Sequence, residues 1–112
     1  MKNQLDLSII IPLYNEEENI FTLHKSVKSV MSKLKKSHEM IFVDDGSTDN
    51  SVEKLKGLQK RDKSIRIIIL RKNFGQSAAI SAGFSNANGN ILIVMDADLQ
   101  NDPGDIPKLL DK

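Results

Sequence analysis

The sequence contains no cysteine, which excludes disulfides and thiolate metal sites and is compatible with a reducing compartment. It has no long apolar run: the longest is the five residues Ile91–Met95, far short of the ~20 that a membrane-spanning helix needs. The opening MKNQLDLS lacks the apolar stretch of a secretory signal. Neither charge is in surplus, since 16 Lys and Arg against 15 Asp and Glu leave +1. That balance gives no general argument for nucleic acid, which favours a clustered basic face. Internal repeats, low-complexity tracts and linkers are also missing. What remains is a soluble, intracellular type of domain, and 112 residues suffice for one modest core.

What the chain does have is one rhythm stated four times. Apolar, β-branched runs occur at Ile9–Ile11, Met40–Val43, Ile67–Leu70 and Ile91–Met95. Each is too short for a helix and too continuously apolar for a half-exposed strand, so each is expected to be a strand covered on both faces. Between them lie helical spacings. Ile20, Leu23, Val27, Val30, Met31 and Leu34 form the first, with Glu16–Glu18 at its start and Lys33, Lys35 and Lys36 at its end, as the helix dipole favours. The second runs from about Ser51 to Lys60, with Val52, Leu55 and Leu58 on one face and Asp49 or Asn50 as cap. The third, about Gln76–Ala87, is rich in Ala and Gly and is expected to end at Asn88-Gly89. A last helix is expected from near Pro103, with Asp102 as its cap. The alternation predicts an α/β fold, an open and mainly parallel sheet with helices on both faces and right-handed crossovers.

The loops after the four strands read PLYNEEE, DDGSTDN, RKNFGQS and DADLQND. One polar loop means little, because loops are polar in general. Four of them at the carboxyl edge of a parallel sheet, two with adjacent or alternating Asp, point to a ligand site. Asp96 and Asp98 leave an extended strand on the same face. Their like charges repel unless a cation lies between them or one is protonated. Mg²⁺ or Mn²⁺ suits such oxygen donors and completes its shell with water and phosphate, and Gln100 offers a carbonyl oxygen as a third ligand. Both Asp residues lie too far upstream to cap the next helix. Asp44 and Asp45 close the second strand, where a carboxylate can accept from a base N–H or a ribose hydroxyl. Asp44 is expected to face the ligand, and Asp49 to be structural. Gly46 permits the turn. Arg71 and Lys72 could meet a diphosphate or stand solvated at a strand end. Asn73 and Gly75 form a tight turn before the third helix, whose amino end could face an anion. His24 and His38 are expected at the surface and not as ligands.

Together SIIIPLYNEEENI, IFVDDGSTDNS, RKNFGQSAAISAGF, GNILIVMDADLQ and DIPKLL resemble family 2 glycosyltransferases of the GT-A fold. More narrowly they resemble the polyprenyl-phosphate branch, which includes dolichol-phosphate mannosyltransferases and undecaprenyl-phosphate sugar transferases. The resemblance spans about Leu7 to Leu110. It implies a Rossmann-like nucleotide-binding half and a donor that is a UDP- or GDP-sugar. Pro12, Tyr14 and Glu16 would line the nucleoside pocket, with Asp44 on the base; from their own place at the strand ends, Asp45, Arg71, Asn73 and Gly75 are also expected at the nucleotide sugar. Asp96 and Asp98 would be the metal-associated catalytic pair, with Gln100 near the metal. It also implies inversion by direct displacement, with a polyprenyl phosphate as acceptor. A phosphate monoester has its second pKa at about 6, so it needs less help from a base than a sugar hydroxyl, and no general base is identifiable.

Two departures stand out. Where relatives commonly carry PPE, this chain has DPGD, Asp102 to Asp105. The family's catalytic domain also continues well beyond the Asp-x-Asp strand. Residues 1–112 are therefore expected to be the nucleotide-sugar-binding N-terminal part, truncated before the acceptor half and with little or no transferase activity alone. The complete protein is expected at the cytoplasmic face of a membrane. The fourth strand, left at an edge, is expected to support self-association. Three other readings compete. A receiver domain carries its acidic pair after the first strand, whereas VDDGS here follows the second, and the glycine-rich basic loop that a sugar-nucleotide pyrophosphorylase carries after strand one is missing. A non-catalytic nucleotide-binding or regulatory module is the remaining alternative.

Overall fold

The computed structural model describes residues 5–97. In chain order these form β1 (Leu5–Leu13), α1 (Ile20–Leu34), β2 (His38–Asp44), α2 (Ser51–Arg61), β3 (Ile65–Ile69), α3 (Gln76–Asn86) and β4 (Gly89–Val94). The strands make one parallel sheet in the order β3-β2-β1-β4. Register is set by the apolar runs, with Ile9 opposite both Met40 of β2 and Ile93 of β4.

Strand alternation sorts the sheet into two faces. Leu7, Ile9, Ile11 and Leu13 of β1, Met40 and Phe42 of β2, and Ile93 of β4 pack with the apolar stripes of α1 and α2. Ile10, Ile41 and Val43 point the other way and meet Ala79 of α3. The small residues of α3 let it lie close, since a Cβ at Gly83 would fall 2.5 Å from Ile10 Cγ2. Handedness explains which helix goes where. The steps β1 to β2 and β2 to β3 run in one direction, so right-handed crossovers place α1 and α2 on one face. The step from β3 back across to β4 runs in the opposite direction and places α3 on the other.

Three expectations for the helices and strands change. Only the central strands β1 and β2 are buried on both faces. Ile69 of β3 and Ile91, Leu92 and Val94 of β4 are exposed, because both strands are edges of the described sheet. Helix α1 begins after the acidic run, because the Glu16 and Glu17 N–H groups donate to Ser51 Oγ and Asp49 Oδ2 instead of entering a helix. Gly89 opens β4 and is not a helix terminator; α3 ends at Asn86 with Ala87 in extended backbone. The helix expected near Pro103 and its cap Asp102 lie outside the described residues.

The amino-terminal end of the sheet holds two polar networks. Glu39, 3% exposed, accepts from Ser8 Oγ at 2.6 Å, Asn88 N–H at 2.6 Å and the Arg66 guanidinium at 2.9 Å. Burial alone would raise its pKa, but these hydrogen bonds and the Arg66 charge outweigh burial and hold it below its ordinary value. The second network corrects the expectation for the histidines, which are only partly exposed. His24 Nε2 donates to Asp62 Oδ2 at 2.9 Å, and the Lys28 ammonium lies 3.3 Å from the same oxygen and 3.1 Å from His38 Nε2.

Candidate functional site

At the carboxyl edge, strand order reverses between β1 and β4, and a crevice opens there as the topology requires. It is an open cavity of about 410 Å³. Its floor is Pro12 and Leu13 from the end of β1, with Tyr14 and Glu16 from the loop that follows. Asp45 enters from the end of β2, Asn73, Gly75, Gln76 and Ala79 from the start of α3, and Asp96 and Ala97 from beyond β4. Alternation explains this convergence. Pro12 continues the Ile10 face, Asp45 the Val43 face and Asp96 the Val94 face, all on the side that carries α3.

The loops are laced together before any ligand arrives. Asn15, in left-handed backbone at φ 54°, accepts at Oδ1 from the Thr48 N–H at 2.8 Å and the Asp49 N–H at 3.3 Å. Its own N–H donates to Ser47 Oγ at 2.8 Å. Asn tolerates this conformation better than most residues because its short amide bonds locally. Asp49, one residue before the N-cap Asn50, accepts from the Ser51 N–H at 2.9 Å and so satisfies the first amide of α2. The Asp45 N–H donates to Leu13 C=O at 2.8 Å and carries the β1–β2 pairing into the site.

Of the residues expected at a nucleotide sugar, Pro12, Tyr14, Glu16, Asp45, Asn73 and Gly75 gather around this one cavity, with Asp96 beside them. Asp44 and Arg71 do not line it. Asp44 is 1% exposed; its Oδ2 accepts from the Ser47 N–H at 2.9 Å, while Oδ1 is buried with no hydrogen-bond partner among the described residues. The reason is parity, since Asp44 follows the face of Phe42 and only its neighbour Asp45 reaches the α3 side. Arg71 is exposed in the loop after β3. Gln76 was not anticipated, yet its Nε2 donates to Asp96 Oδ1 at 3.1 Å. The available signal was its position as the first residue of a helix facing the ligand edge.

Asp98 and Gln100, expected at a cation, lie outside the described residues. Among the described residues no three His, Asp or Glu side chains are grouped to hold a metal ion. Asp96 presents a hard carboxylate oxygen on the wall of an open cavity, and that donor chemistry suits Mg²⁺ or Mn²⁺. Among the described residues no helix is long and apolar enough to cross a membrane.

The fold is that of known GT-A glycosyltransferases. A mannosyltransferase from Pyrobaculum calidifontis, solved with GDP-Man and Mn²⁺, superposes with a TM-score of 0.73 at 20% identity, over 87% of this chain and 28% of that one. The 1–349 piece of TarS from S. aureus, solved with UDP-GlcNAc, gives 0.73 at 24% identity, over 95% of this chain and 30% of that one. Sequence similarity reaches further. The undecaprenyl-phosphate 4-deoxy-4-formamido-L-arabinose transferases of Salmonella choleraesuis (strain SC-B67) and Salmonella newport (strain SL254) are each 44% identical over 107 residues, 95% of this chain. The match takes in 33% of each relative, so the chain spans about a third of the length of the curated relatives it matches. The model of the family described as "Glycosyl transferase family 2" matches residues 8–112, nearly the whole sequence, and the chain belongs to that family.

Proposed function

We propose that the chain is the N-terminal, nucleotide-sugar-binding part of an inverting glycosyltransferase that transfers a sugar from a UDP- or GDP-sugar to a polyprenyl phosphate. The observation that carries this reading is the cavity at the strand-order reversal, with Asp96 on its wall and a backbone-rich loop opposite. The relatives' name supplies the acceptor class, and the two solved structures contain a GDP-sugar and a UDP-sugar.

In this reading Pro12, Tyr14 and Glu16 form the nucleoside side of the pocket, and Asp45, Asn73 and Gly75 its far wall. Tyr14 is 43% exposed and offers an aromatic face for a base. Asp44 lies beneath, supporting the turn, and Arg71 adds positive charge outside the wall. Asp96, with Asp98 and Gln100, would hold Mg²⁺ or Mn²⁺. A bound cation of this kind neutralises charge on a departing nucleoside diphosphate. The rest is done by the chain: it fixes the donor in orientation and keeps carboxylates at one end of it. A complete protein that meets a polyprenyl phosphate would work at a membrane surface. Because the matched region is a third of the relatives' length, the 112-residue chain by itself is expected to bind nucleotide and to transfer little or no sugar. The exposed edge β4 is proposed as a self-association surface.

Titration calorimetry of the chain with UDP and with GDP, each with and without Mn²⁺, tests the reading. Binding of one nucleotide that tightens with Mn²⁺ is expected. Binding of neither, under both conditions, overturns it. Metal-dependent binding together with clear sugar transfer would overturn only the expected inactivity.

A further inference from the structure

The loop that forms the far wall of the cavity is anchored from β2. Both carboxylate oxygens of Asp45 accept backbone hydrogen bonds, Oδ1 from the Phe74 N–H at 2.8 Å and Oδ2 from the Gly75 N–H at 3.0 Å. Next to it, Gly46 at φ +82° lets the loop approach so closely that a Cβ there would fall 2.7 Å from Asn73 N and from Lys72 C. Gly75, at φ +103°, then turns the chain into α3. The following residue, Gln76, donates to Asp96 Oδ1. One line of contacts therefore runs from the end of β2, through the loop after β3, to the carboxylate after β4.

We propose that Asp45 and Gln76 are positioning residues that set the orientation of the Asp96 carboxylate for a cation-bound diphosphate; this rests on the donor-binding reading above. The chemistry of each link supports it. A buried carboxylate that takes one amide on each oxygen is fixed in direction by charge-assisted bonds, so Asp45 anchors the loop. A primary amide is the right group at the other end. It donates to an acceptor oxygen and selects one carboxylate orientation without adding charge. A Lys there would compete with a cation for Asp96, and a Glu would repel Asp96. Groups that orient a metal-binding carboxylate in this way are commonly worth about 10-fold or more in metal affinity.

The test is calorimetry on the 112-residue chain and its Gln76→Ala and Asp45→Asn variants. The quantity read is the ratio of nucleotide affinity with Mn²⁺ to that without. Partial unfolding lowers the stoichiometry but leaves this ratio unchanged, which separates positioning from a merely structural role. Each substitution is expected to cut the ratio about 10-fold. An undiminished ratio in Gln76→Ala overturns the proposal. A second readout needs no nucleotide. In the metal-free chain, Asp45→Asn sets a side-chain donor against a backbone N–H. It is therefore expected to shift the Gln76 side-chain amide and the Asp96 carboxyl carbon resonances together. If both resonances stay in place, the proposal is overturned. If they move while the unsubstituted chain binds neither UDP nor GDP, it is the donor-binding reading that fails, and the link from Asp45 to Asp96 stands.

Discussion

Asp49 serves two loops with one carboxylate. Oδ1 accepts from the Ser51 N–H at 2.9 Å and Oδ2 from the Glu17 N–H at 3.3 Å. Burial works against its charge, but the bonds from Ser51 and Glu17 outweigh burial and hold its pKa below the ordinary value. Asp49→Ala removes the acceptor for the first amide of α2 and the tie to the loop that carries Glu16. A loss of about 1 kcal/mol is expected, read as a lower urea midpoint at unchanged slope, with weaker nucleotide binding from the loosened Glu16 loop. An unchanged midpoint would show that the turn holds without its carboxylate. Asp49 was legible in the sequence, because Ser, Thr and Asp before a helix have a local mechanism. The division of labour between Asp44 and Asp45 was not. Adjacent residues at a strand end point to opposite faces, and choosing between them needs the knowledge that α3, and with it the cavity, lies on the Val43 side. Gln76 was hidden for a similar reason, since its partner Asp96 is 20 residues away and only the crossover joins them.

Elements are stapled at the sheet edge remote from the site. Asp62 at the end of α2 accepts from Ser64 Oγ at 2.7 Å and from His24 of α1, and Lys28 of α1 bridges to His38 at the start of β2. Burial of Asp62 is outweighed by the Ser64 and His24 hydrogen bonds and the Lys28 charge, so its pKa lies far below the carboxylate range. His38 is shifted down from 6.5, first by burial and then by the Lys28 charge, against weaker opposing contributions from the Lys36 backbone and Asp62. A Lys28 ammonium donating to the His38 imidazole requires the neutral ring, in agreement with that direction. The sign follows. Below 6.5 the unfolded chain binds a proton at this position more readily than the folded chain. His38 therefore costs stability as pH falls from there towards its lower folded value. Asp62 acts in the opposite limb: its stabilisation is complete above the unfolded carboxylate pKa and is lost only in strong acid. Urea midpoints between roughly pH 5 and 7.5 are expected to fall on acidification, and to fall less in His38→Gln, which keeps an acceptor for Lys28. Equal slopes in the two proteins would rule His38 out as the source. The existence and order of the helices and strands could be read from apolar periodicity, but this staple could not. A lone histidine at the start of a strand has no local signal that distinguishes a solvated ring from one facing Lys28.

At the scale of the molecule, the sheet formed by the described residues is well tied at its centre and open at its side. Glu39 gathers Ser8 of β1, Arg66 of β3 and Asn88 before β4 around one buried carboxylate, so the four strands meet at a common hub. No strand among the described residues pairs with the outer side of β4. Its sequence GNILIV contains no charge and no proline, the usual devices that keep an edge strand from pairing with another chain. Ile91, Leu92 and Val94 are 47%, 42% and 37% exposed. Ile91 shares the face of Ile93, and Leu92 and Val94 lie on the α3 face, so both sides of the edge are apolar. Burying such residues against a second copy removes apolar surface worth about 25 cal/mol per Å², and strand addition satisfies the open backbone groups at the same time. Light scattering at increasing concentration is therefore expected to show dimers or larger species. Leu92→Lys places a charge on the edge without touching the packed core, and it is expected to shift the equilibrium to monomer while the unfolding free energy from urea at low concentration changes by less than about 0.5 kcal/mol. A chain that scatters as a monomer at the highest concentrations would remove the edge as an association surface. If Leu92→Lys associates as strongly as the parent, the contact lies elsewhere on the molecule.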